Sequence, residues 1–530
     1  MPQSENANPS SKILQIALVT AVVLAGLLIR LFDFTDLPMD FHPARQYHSA
    51  ILARGLYESW GGEVPADQIP LIRAQYTSEA RIEPPIMETL TAGLFRLFHT
   101  ESLWIARLLS ILFWMAGGYP LFRMLFRSIG FTPALLGLGF YLLLPYAVIA
   151  SRSFQPDPLM VALTLFALDA IDCYAHQSTW KAAITGGLWM GAAILVKQVM
   201  LFILPAALVL AVWRGVGFRR LVRDTQLWVM GILAVLPAVL YNLYGIFISG
   251  TLAGQYSERF FPALWIDPGF YIRWSQMIAD TLSLPVFLLA LAGILLLPRS
   301  SMKSMWIGYG IGYVLYGFVF AHHISTHDYY QLPLFPLAAV GVGSALGYLW
   351  KALRQANPGR LGMAAASVLL LAAGLLSIWD ARSDLKRVDY RADAALLTDL
   401  VARMGGPHTL VIGLTEDYGA ALNYYGFLLP VYWEDQQNGT ALSSMSAQEI
   451  EQVVLERVQG KSYLFISDLE ALNSQPLVRR YLDTHYDIFY QDARYLIYDL
   501  KISPQQTGLV QDTMIPSFSP FGMQISGAHS

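Results

Sequence analysis

The chain has 530 residues and a formal net charge of −3, and 55% of its residues are hydrophobic. Only 14% are charged and the mean hydropathy is +0.44, whereas a soluble domain carries about a quarter charged residues. The composition therefore indicates a polytopic α-helical membrane protein, and the small net charge gives no reason to expect a nucleic-acid partner. The single cysteine, Cys173, excludes an internal disulfide and a cysteine-based zinc site.

Apolar runs divide most of the chain into membrane spans. About 20 apolar residues cross the hydrocarbon core, and about eleven segments fit that criterion. In chain order, the predicted spans are residues 12–32, 103–126, 133–150, 157–175, 181–197, 199–214, 225–248, 281–298, 304–322, 330–350 and 361–379. We interpret the first as a retained helix. The division between the fifth and sixth depends on Lys197 and Gln198, the polar residues between them.

Basic residues in short loops predict the orientation of these spans. If the N-terminus is cytoplasmic and the spans alternate, the cytoplasmic loops hold Arg123, Arg127, Lys181, Arg214, Arg219, Arg220, Arg223, Arg299, Lys303, Lys351, Arg354 and Arg360. The external loops hold few basic residues outside one long segment. If the fifth and sixth spans were a single span, the predicted membrane orientation of every later span and loop would be reversed.

The external segments then fall into three groups. The first loop, residues 33–102, contains an amphipathic helix at Ile86–Phe98 that is too short and polar to span and is expected in the interface. The second external segment, residues 249–280, is rich in aromatic residues. Beyond Asp380, helical and strand-like segments alternate, which is typical of a small α/β domain.

The predicted fold is thus an all-α polytopic membrane domain over residues 1–380 plus a small extracytoplasmic α/β domain over 381–502. Its helices are expected at Tyr390–Met404 and Ser446–Val458, and its strands at His408–Leu414, Ser462–Ser467 and Tyr495–Leu500. The tail at 503–530, with Pro, Gln, Gly and Ser, is predicted to be disordered.

Ionisable residues at or near membrane depth are functional candidates, because leaving them unpaired there costs several kcal/mol. Nearly all of them fall on the predicted external side. Asp40, His42 and Arg45 lie within six residues of one another after the first span, and they offer a general base and an anion clamp. The alternative for Asp40 is a loop cap, but we favour a functional role because the other polar motifs lie on the same side.

Two further motifs lie in external loops, and each has a structural alternative. Arg81 and Glu83 precede a Pro-Pro pair, and they either pair with each other or face a ligand. Arg152 and Asp157 share the turn between the third and fourth spans, where Asp157 is either a helix cap or a second acidic group.

Lys197 ends the fifth span, where it either extends its amine to the interface or binds a phosphate. His323 and His327 have the i,i+4 spacing that can ligate a metal. We favour hydrogen bonding of these histidines to a polar or phosphorylated ligand, because the segment is expected to be a helix end that runs into a loop. Interfacial packing is the remaining alternative.

Together these motifs resemble the GT-C membrane glycosyltransferases, over approximately residues 10–350. The features are the acidic/His/Arg motif after the first span, the long loop with Pro-Pro and an interfacial helix, the Ser-Arg-x3-Pro-Asp turn, the external lysine and the segment His327-Asp328-Tyr329-Tyr330-Gln331-Leu332-Pro333. Within that superfamily the sequence is similar to glycosyltransferase family 39 and the aminoarabinose-transferase-like bacterial proteins.

The resemblance implies transfer of a sugar from a polyprenyl-phosphate carrier to an acceptor outside the cytoplasm. A carboxylate in the first external loop then activates the acceptor, and Asp40 matches it best. The family usually has Asp-Glu before Arg or Tyr, and aligning on Arg45 places His42 and Pro43 over that pair. His42 is therefore the second candidate, and Asp157 fits a further acidic position.

The donor-phosphate and substrate-binding residues expected on this basis are Arg45, Arg81, Glu83, Arg152, Lys197, His323, His327 and Tyr329. No cofactor is expected for certain, and a divalent metal ion is possible but not favoured. The expected partners are the lipid-linked sugar, membrane lipids and a glycolipid, polymer or protein acceptor. The expected location is the plasma (bacterial inner) membrane.

The chemistry suits these residue types, because a departing phosphate needs fixed cations and the acceptor needs a base. A transporter or flippase of a lipid-linked or small polar substrate is the alternative function, and it predicts charges near mid-span and paired broken helices. A non-catalytic assembly or sensor protein is a third hypothesis.

Overall fold

The computed structural model describes residues 9–81, 83–217, 222–252, 260–433 and 446–501. The chain divides into two compact units: the first runs to Leu400 and includes Ala420–Phe427, and the second comprises the rest. The predicted disordered tail at 503–530, together with Arg219 and Arg220, lies outside the described residues.

The first unit is helical, and most of its helices follow each other with short connections. They are α1 (Pro9–Leu31), α2 (Pro43–Ser59), α3 (Ile69–Ser78), α4 (Ile86–Phe98), α5 (Leu103–Ile129), α6 (Phe131–Leu143), α7 (Pro145–Ala150), α8 (Asp157–His176), α9 (Trp180–Val196), α10 (Met200–Val216), α11 (Thr225–Leu243), α12 (Pro268–Leu282), α13 (Leu284–Leu296), α14 (Ser301–Val319), α15 (Ala321–Thr326), α16 (Leu334–Ala356) and α17 (Gly359–Leu385). A π-helical turn at Tyr244–Ile248 extends α11, and 3₁₀ turns occupy Pro262–Ile266 and Asp328–Gln331.

Each of the eleven predicted spans contains a helix, and the polytopic all-α domain is confirmed. Six helices among the described residues are long and apolar enough to cross a membrane: α1, α5, α8, α11 with its π turn, α16 and α17. Helices α6, α9 and α10 are shorter apolar helices. The interfacial helix expected at Ile86–Phe98 has those bounds as α4.

The predicted span at 281–298 contains α13, but its first two residues belong to the end of α12. Helices α12 and α13 form a pair that is bent by 87°. Ser283, between them, has a φ of 59°, a left-handed conformation that ends α12, and Pro285 then opens α13. Most of α12 lies in the predicted external segment 249–280, for which no helix was predicted.

Close helix packing in this unit depends on small residues, as is common between membrane helices. Helix α14 packs against α10, and a Cβ added at Gly308 or Gly312 would overlap the backbone of Ala206 or Phe202. Helix α13 packs against α16 in the same way, with Gly293 facing the carbonyl oxygen of Gly341. These glycines allow the backbones to approach more closely than any side chain would permit.

A buried arginine joins the first helix to the break between α6 and α7. Arg30 is 0% exposed, and its Nη1 donates to the carbonyl oxygen of Leu142 at 2.7 Å. Its Nε donates to Ser151 Oγ at 2.7 Å, and its Nη2 to the carbonyl oxygen of Ala147 at 3.4 Å. Pro145 lacks an N–H, so the helix breaks at Leu144. Arg30 supplies donors to carbonyl groups on both sides of that break.

The second unit contains a five-stranded mixed sheet, and the small α/β sheet predicted for the C-terminal part is confirmed. Its strands are β1 (Val411–Leu414), β2 (Val431–Tyr432), β3 (Tyr463–Ile466), β4 (Asp487–Gln491) and β5 (Leu496–Asp499). The order is β2-β1-β3-β5-β4, with β1 parallel to β2 and β3, and β5 antiparallel to β3 and β4.

The remaining helices of the described chain follow Asp389. They are α18 (Asp393–Met404), α19 (Ala420–Gly426), α20 (Ala447–Val458), α21 (Leu469–Asn473) and α22 (Pro476–His485). Strands β1, β3 and β5 and helices α18 and α20 lie where the sequence predicts them. Strands β2 and β4 were missed, because β2 has two residues and β4 lies mostly exposed at the sheet edge.

Replacing Arg30 with methionine should destabilise the protein. The substitution keeps the apolar stem but removes a buried charged donor from four acceptor atoms. Hydrogen bonds to charged groups are worth about 1.5–3 kcal/mol each at most, so we expect the free energy of unfolding to fall by about 2–4 kcal/mol. Thermal unfolding in detergent measures the change.

The matched control is Arg360→Met, because Arg360 is an exposed arginine in α17. It should unfold within a degree or two of the wild type. A melting temperature for Arg30→Met that equals that of the control would show that Arg30 does not hold the break.

Candidate active site

Five connecting segments meet at one end of the helical unit. They are the segment after α1, the segment between α3 and α4, the turn at 151–156 before α8, the break between α9 and α10, and the segment between α14 and α16. His42 contacts Asp328, Asp157 contacts Lys197, and Lys197 lies beside Tyr329. We call the side chains that meet here the site cluster: His42, Arg45, Glu83, Asp157, Lys197, Asp328 and Tyr329.

Asp157 and Lys197 form a buried ion pair. Asp157 is the first residue of α8, where the helix dipole favours a carboxylate. Lys197 follows the last residue of α9 and forms a salt bridge with Asp157 Oδ1. The side chain of Asp157 is 0% exposed and that of Lys197 is 4% exposed. Lys197 therefore does not extend its amine into solvent, and Asp157 is held by a cation in addition to its position at the helix start.

Tyr329 lies between the cations of the cluster. Its ring centre is 5.3 Å from Lys197 Nζ and 5.3 Å from the guanidinium carbon of Arg45. The ring of His42 packs on it edge to face, with centroids 4.7 Å apart. Because the negative face of an aromatic ring attracts cations, Tyr329 holds two positive side chains from distant parts of the chain near one another.

His42 and Asp328 form a second pair, with His42 Nε2 2.5 Å from Asp328 Oδ1. His42 caps α2 with a left-handed φ of 45°, and Pro43 then opens the helix. Burial alone would raise the pKa of Asp328, but the hydrogen bond to His42 and its electrostatic interaction with that residue give the carboxyl a lowered pKa. Asp328 therefore stays ionised and orients the imidazole.

Glu83 pairs with Arg45, at 3.7 Å between Oε2 and Nη2. The alternative pairing of Arg81 with Glu83 is not the arrangement observed. Arg81 lies over the ring of Tyr76, 4.2 Å from its centre, and donates to the carbonyl oxygen of Tyr76 at 3.2 Å. Glu83 thus joins the site cluster, whereas Arg81 contacts Tyr76 in the last turn of α3.

Asp40 and Arg152 lie in a neighbouring polar group. Arg107 Nη2 is 3.8 Å from Asp40 Oδ1, and Arg152 Nη2 donates to the carbonyl oxygen of Asp33 at 2.8 Å. Burial and the nearby charge of Arg107 lower the pKa of Arg152 to about 10, so it remains cationic at neutral pH. The carboxylate of Asp40 therefore interacts electrostatically with two arginines, Arg107 and Arg152.

Gln46 links this group to the site cluster. Its amide nitrogen donates to the carbonyl oxygen of Phe41 at 2.6 Å, and its amide oxygen accepts from the N–H of Phe154 at 2.9 Å. The start of α2, which carries His42 and Arg45, is thereby fixed against the turn that precedes Asp157.

His323 and His327 lie at the edge of the cluster. The ring of His323 is 5.4 Å from that of Tyr330 and 6.1 Å from that of His327. His327 Nδ1 lies 2.8 Å from Thr326 Oγ1. Throughout the part of the chain that the structure describes, no three His, Cys, Asp or Glu side chains are grouped so that they could hold a metal ion. Among the described residues, His323 and His327 therefore have no third side chain beside them that would complete a metal site.

The opposite end of the helical unit is also charged, contrary to the expectation that nearly all such residues lie on one side. Arg123 of α5 pairs with Asp169 of α8, and Arg127 Nη2 lies 2.6 Å from Asp172 Oδ2. Both aspartates are buried and fall inside the predicted span 157–175. Two of the arginines that orient the chain are therefore neutralised by partners in a neighbouring helix.

Several polar residues of the site were not singled out from the sequence. Asp328 stands within the same motif as His327 and Tyr329, and its position one residue before an aromatic pair was the available signal. Arg107 is a charge inside a predicted span. Glu88 is buried and accepts from Ser49 Oγ at 2.6 Å, and burial raises its pKa. Nothing in the local sequence marks Gln46.

Comparison with known proteins gives a consistent result. The family described as dolichyl-phosphate-mannose-protein mannosyltransferase matches residues 82–244. Among solved structures, ArnT from Cupriavidus metallidurans in the apo state is similar, with a TM-score of 0.52, 17% identity, and coverage of 90% of this chain and 97% of that chain. No curated protein sequence matches significantly.

Two further structures share the fold. ArnT from Cupriavidus metallidurans bound to undecaprenyl phosphate has a TM-score of 0.51 at 16% identity, covering 93% of this chain and 98% of that chain. The archaeal oligosaccharyltransferase AglB from Archaeoglobus fulgidus, in complex with an inhibitory peptide and a dolichol-phosphate, has a TM-score of 0.54 at 13% identity. Coverage there is 95% of this chain and 76% of that chain.

The fold and the partial family match define the class of protein: a polytopic membrane protein with the fold of the GT-C glycosyltransferases. The resemblance expected from the sequence is confirmed at that level. The family match begins after Asp40, His42 and Arg45 and ends before Tyr329, so of the site cluster it includes Glu83, Asp157 and Lys197.

The Asp157–Lys197 pair can be tested by a double-mutant cycle. Asp157→Asn or Lys197→Met alone leaves a buried charge without its partner, which typically costs about 3–5 kcal/mol. The double variant should be destabilised by much less than the sum of the two. Unfolding in detergent measures all three free energies.

The exposed pair of Asp267 and Arg273, with atoms 3.1 Å apart, is the control for that cycle. Asp267→Asn with Arg273→Met should show a coupling of about 1 kcal/mol or less. Equal coupling at the two sites would mean that Asp157 and Lys197 are not a desolvated pair.

His327 should make stability depend on pH. Burial, and then the electrostatic interaction with His42, lower the pKa of His327 below its ordinary value of 6.5. The folded state therefore binds this proton less readily than the unfolded state, so stability is greatest above 6.5 and falls as the pH drops below it. His327→Gln should flatten that fall between pH 7 and 5, as measured by melting temperature.

His408→Gln, at an exposed position, should leave the pH profile unchanged. A His327→Gln profile as steep as that of the wild type would place the pH-sensitive group elsewhere.

Proposed function

We propose that this protein transfers a sugar from a polyprenyl-phosphate-linked donor to an acceptor on the extracytoplasmic face of the plasma (bacterial inner) membrane. The observation that carries the proposal is the convergence of Lys197 and Arg45 on the ring of Tyr329, beside the His42–Asp328 pair. Two fixed cations and a base candidate are the groups that such a transfer needs. The solved structures of ArnT with undecaprenyl phosphate and of AglB with a dolichol-phosphate support a prenyl-phosphate ligand.

Lys197 and Arg45 are assigned to the donor phosphate. In the transfer, an acceptor oxygen attacks the anomeric carbon, the bond from that carbon to the phosphate oxygen breaks, and the prenyl phosphate leaves with both electrons. Negative charge grows on the phosphate as this happens, and preorganised cations in a site of low dielectric stabilise it. Asp157 and Glu83 hold the two cations in place, so Asp157 acts on Lys197 instead of on the acceptor.

His42 is the group best placed to take the acceptor proton. With Nε2 directed to Asp328, the second ring nitrogen can accept a proton while the carboxylate stabilises the resulting imidazolium. Asp40 lies 3.8 Å from Arg107 and near Arg152, so its neighbours are cations, and among the described residues it has no partner that would hold it as the His42–Asp328 pair is held. We assign Asp40 to hydrogen bonding of the acceptor.

The extracytoplasmic location rests on the basic residues of the opposite loops. Arg123 and Arg127 are paired with aspartates, but acidic residues contribute little to the positive-inside rule. Reporters fused after Gln198 and after Ser503 should both report an external location. A cytoplasmic signal from either would reverse the assigned face.

The function is tested by reconstituting the purified protein with short-chain polyprenyl-phosphate sugars and a cell-envelope extract. Mass spectrometry identifies the glycan product, and its loss from cells without the gene identifies the acceptor. Wild-type protein that binds but does not transfer any sugar, or export of the lipid-linked sugar without transfer, would favour a transporter.

The choice of base gives a sharper prediction. Losing a positioned base costs about 10²–10⁴-fold in rate, so His42→Gln should lower kcat by that factor, and His42→Gln with Asp328→Asn should be little worse. Asp40→Asn should cost about tenfold, as loss of one hydrogen bond to a charged group does. The reverse ranking of His42→Gln and Asp40→Asn would make Asp40 the base.

A further inference from the structure

The turn from Arg152 to Asp157 holds an unusual set of buried polar atoms. Arg152 is 2% exposed, and Gln155 and Asp157 are each 0% exposed. Within the described residues, five side-chain atoms of this turn have no hydrogen-bond partner: Nε and Nη1 of Arg152, both amide atoms of Gln155 and Oδ2 of Asp157. A buried polar group without a partner costs about 1–3 kcal/mol, so such a concentration points to a ligand.

The backbone of the same turn is firmly held. The N–H of Phe154 donates to Gln46 at 2.9 Å, and the carbonyl oxygen of Ser153 accepts from Ser110 at 2.7 Å. Ser151 is held by Arg30. A rigid backbone that presents side chains without partners is the arrangement expected of a preorganised binding site.

The chemistry of the five atoms distinguishes between two possible ligand groups. Arg152 offers only donors, Asp157 Oδ2 offers an acceptor, and the amide of Gln155 offers both. An ionised phosphate has only acceptor oxygens, so it would be repelled by Gln155 Oε1 and Asp157 Oδ2. A sugar hydroxyl donates one hydrogen bond and accepts others, so a set of hydroxyls can satisfy both kinds of atom.

We propose that Gln155, with Arg152 and the second oxygen of Asp157, forms the subsite for the hydroxyl groups of the transferred sugar, and that Gln155 determines which sugar is accepted. The inference rests on the proposed function and deepens it. It moves Arg152 from the phosphate-binding set to the sugar-binding set.

Asp157 then joins the two halves of the donor site. Its Oδ1 contacts Lys197, which is assigned to the phosphate, and its Oδ2 faces the sugar subsite. The bond that breaks lies between the sugar and the phosphate, so the anomeric carbon is placed between Lys197 and Gln155.

The test compares binding of two kinds of lipid to the full-length protein in detergent. The probes are farnesyl phosphate without a sugar and farnesyl phosphate carrying glucose, mannose, galactose or arabinose. Gln155→Met keeps the side-chain length and removes both amide atoms. The preference of wild type for its best sugar-bearing probe over farnesyl phosphate should fall about tenfold in Gln155→Met, as expected for one or two lost neutral hydrogen bonds.

Thr91→Val is the matched control. Thr91 is also 0% exposed, and its hydroxyl likewise has no partner among the described residues. Both variants should melt at or above the wild-type temperature, because each removes an unsatisfied polar group, but only Gln155→Met should lose the preference for the sugar. Gln155→Asn, which shortens the amide by one methylene, serves if Gln155→Met does not fold and should show the same loss.

The outcomes separate the inference from the proposed function. If wild type binds no sugar-bearing probe better than farnesyl phosphate, the proposed function fails. If wild type has a preference and both Gln155 variants retain it in full, the function stands and the sugar subsite is wrong. A loss of affinity for farnesyl phosphate itself in Gln155→Met would also overturn it, because the residue would then act on the phosphate.

Discussion

The helical unit of this protein is organised around a lysine and an aspartate that are buried together. Either charge alone at that depth would be strongly unfavourable, so Asp157 and Lys197 must remain paired for the fold to be stable. That requirement fixes the start of α8 against the end of α9. Tyr329, from the segment before α16, completes the environment of the lysine, and Arg45 joins from the first loop. The groups proposed to bind the donor are thus the ones that hold the loops together.

The polar contacts also show in which direction successive helices run. At one end, Lys197 meets Asp157, so α8 starts where α9 ends. At the other end, Tyr174 donates to Asp224 at 3.0 Å, so the end of α8 meets the start of α11. Helices α9 and α10 must therefore be separate passes with a reversal near Lys197 and Gln198. The division on which the predicted orientation depends is thereby supported by contacts that hydropathy does not register.

Local patterns were sufficient to predict the long apolar helices, the amphipathic α4 and the three central strands of the sheet, because each depends on neighbouring residues. The site was predicted only as separate motifs. His42 and Asp328 are 286 positions apart, and no local signal indicates that they pair, or that Glu83 turns to Arg45 and not to Arg81. The aspartates Asp169 and Asp172 were passed over because an apolar helix can carry two carboxylates when a neighbouring helix supplies arginines. The bend at Ser283 depends on one residue in a left-handed conformation.

Arg30 has a consequence for biosynthesis. It is next to the last residue of α1, and three of its four acceptors, Leu142, Ala147 and Ser151, are made more than 100 residues later. When α1 enters the bilayer, the guanidinium must reach the lipid headgroups, which its long stem permits near a helix end. The first helix therefore inserts early but reaches its final depth and rotation only after α6 and α7 are in place.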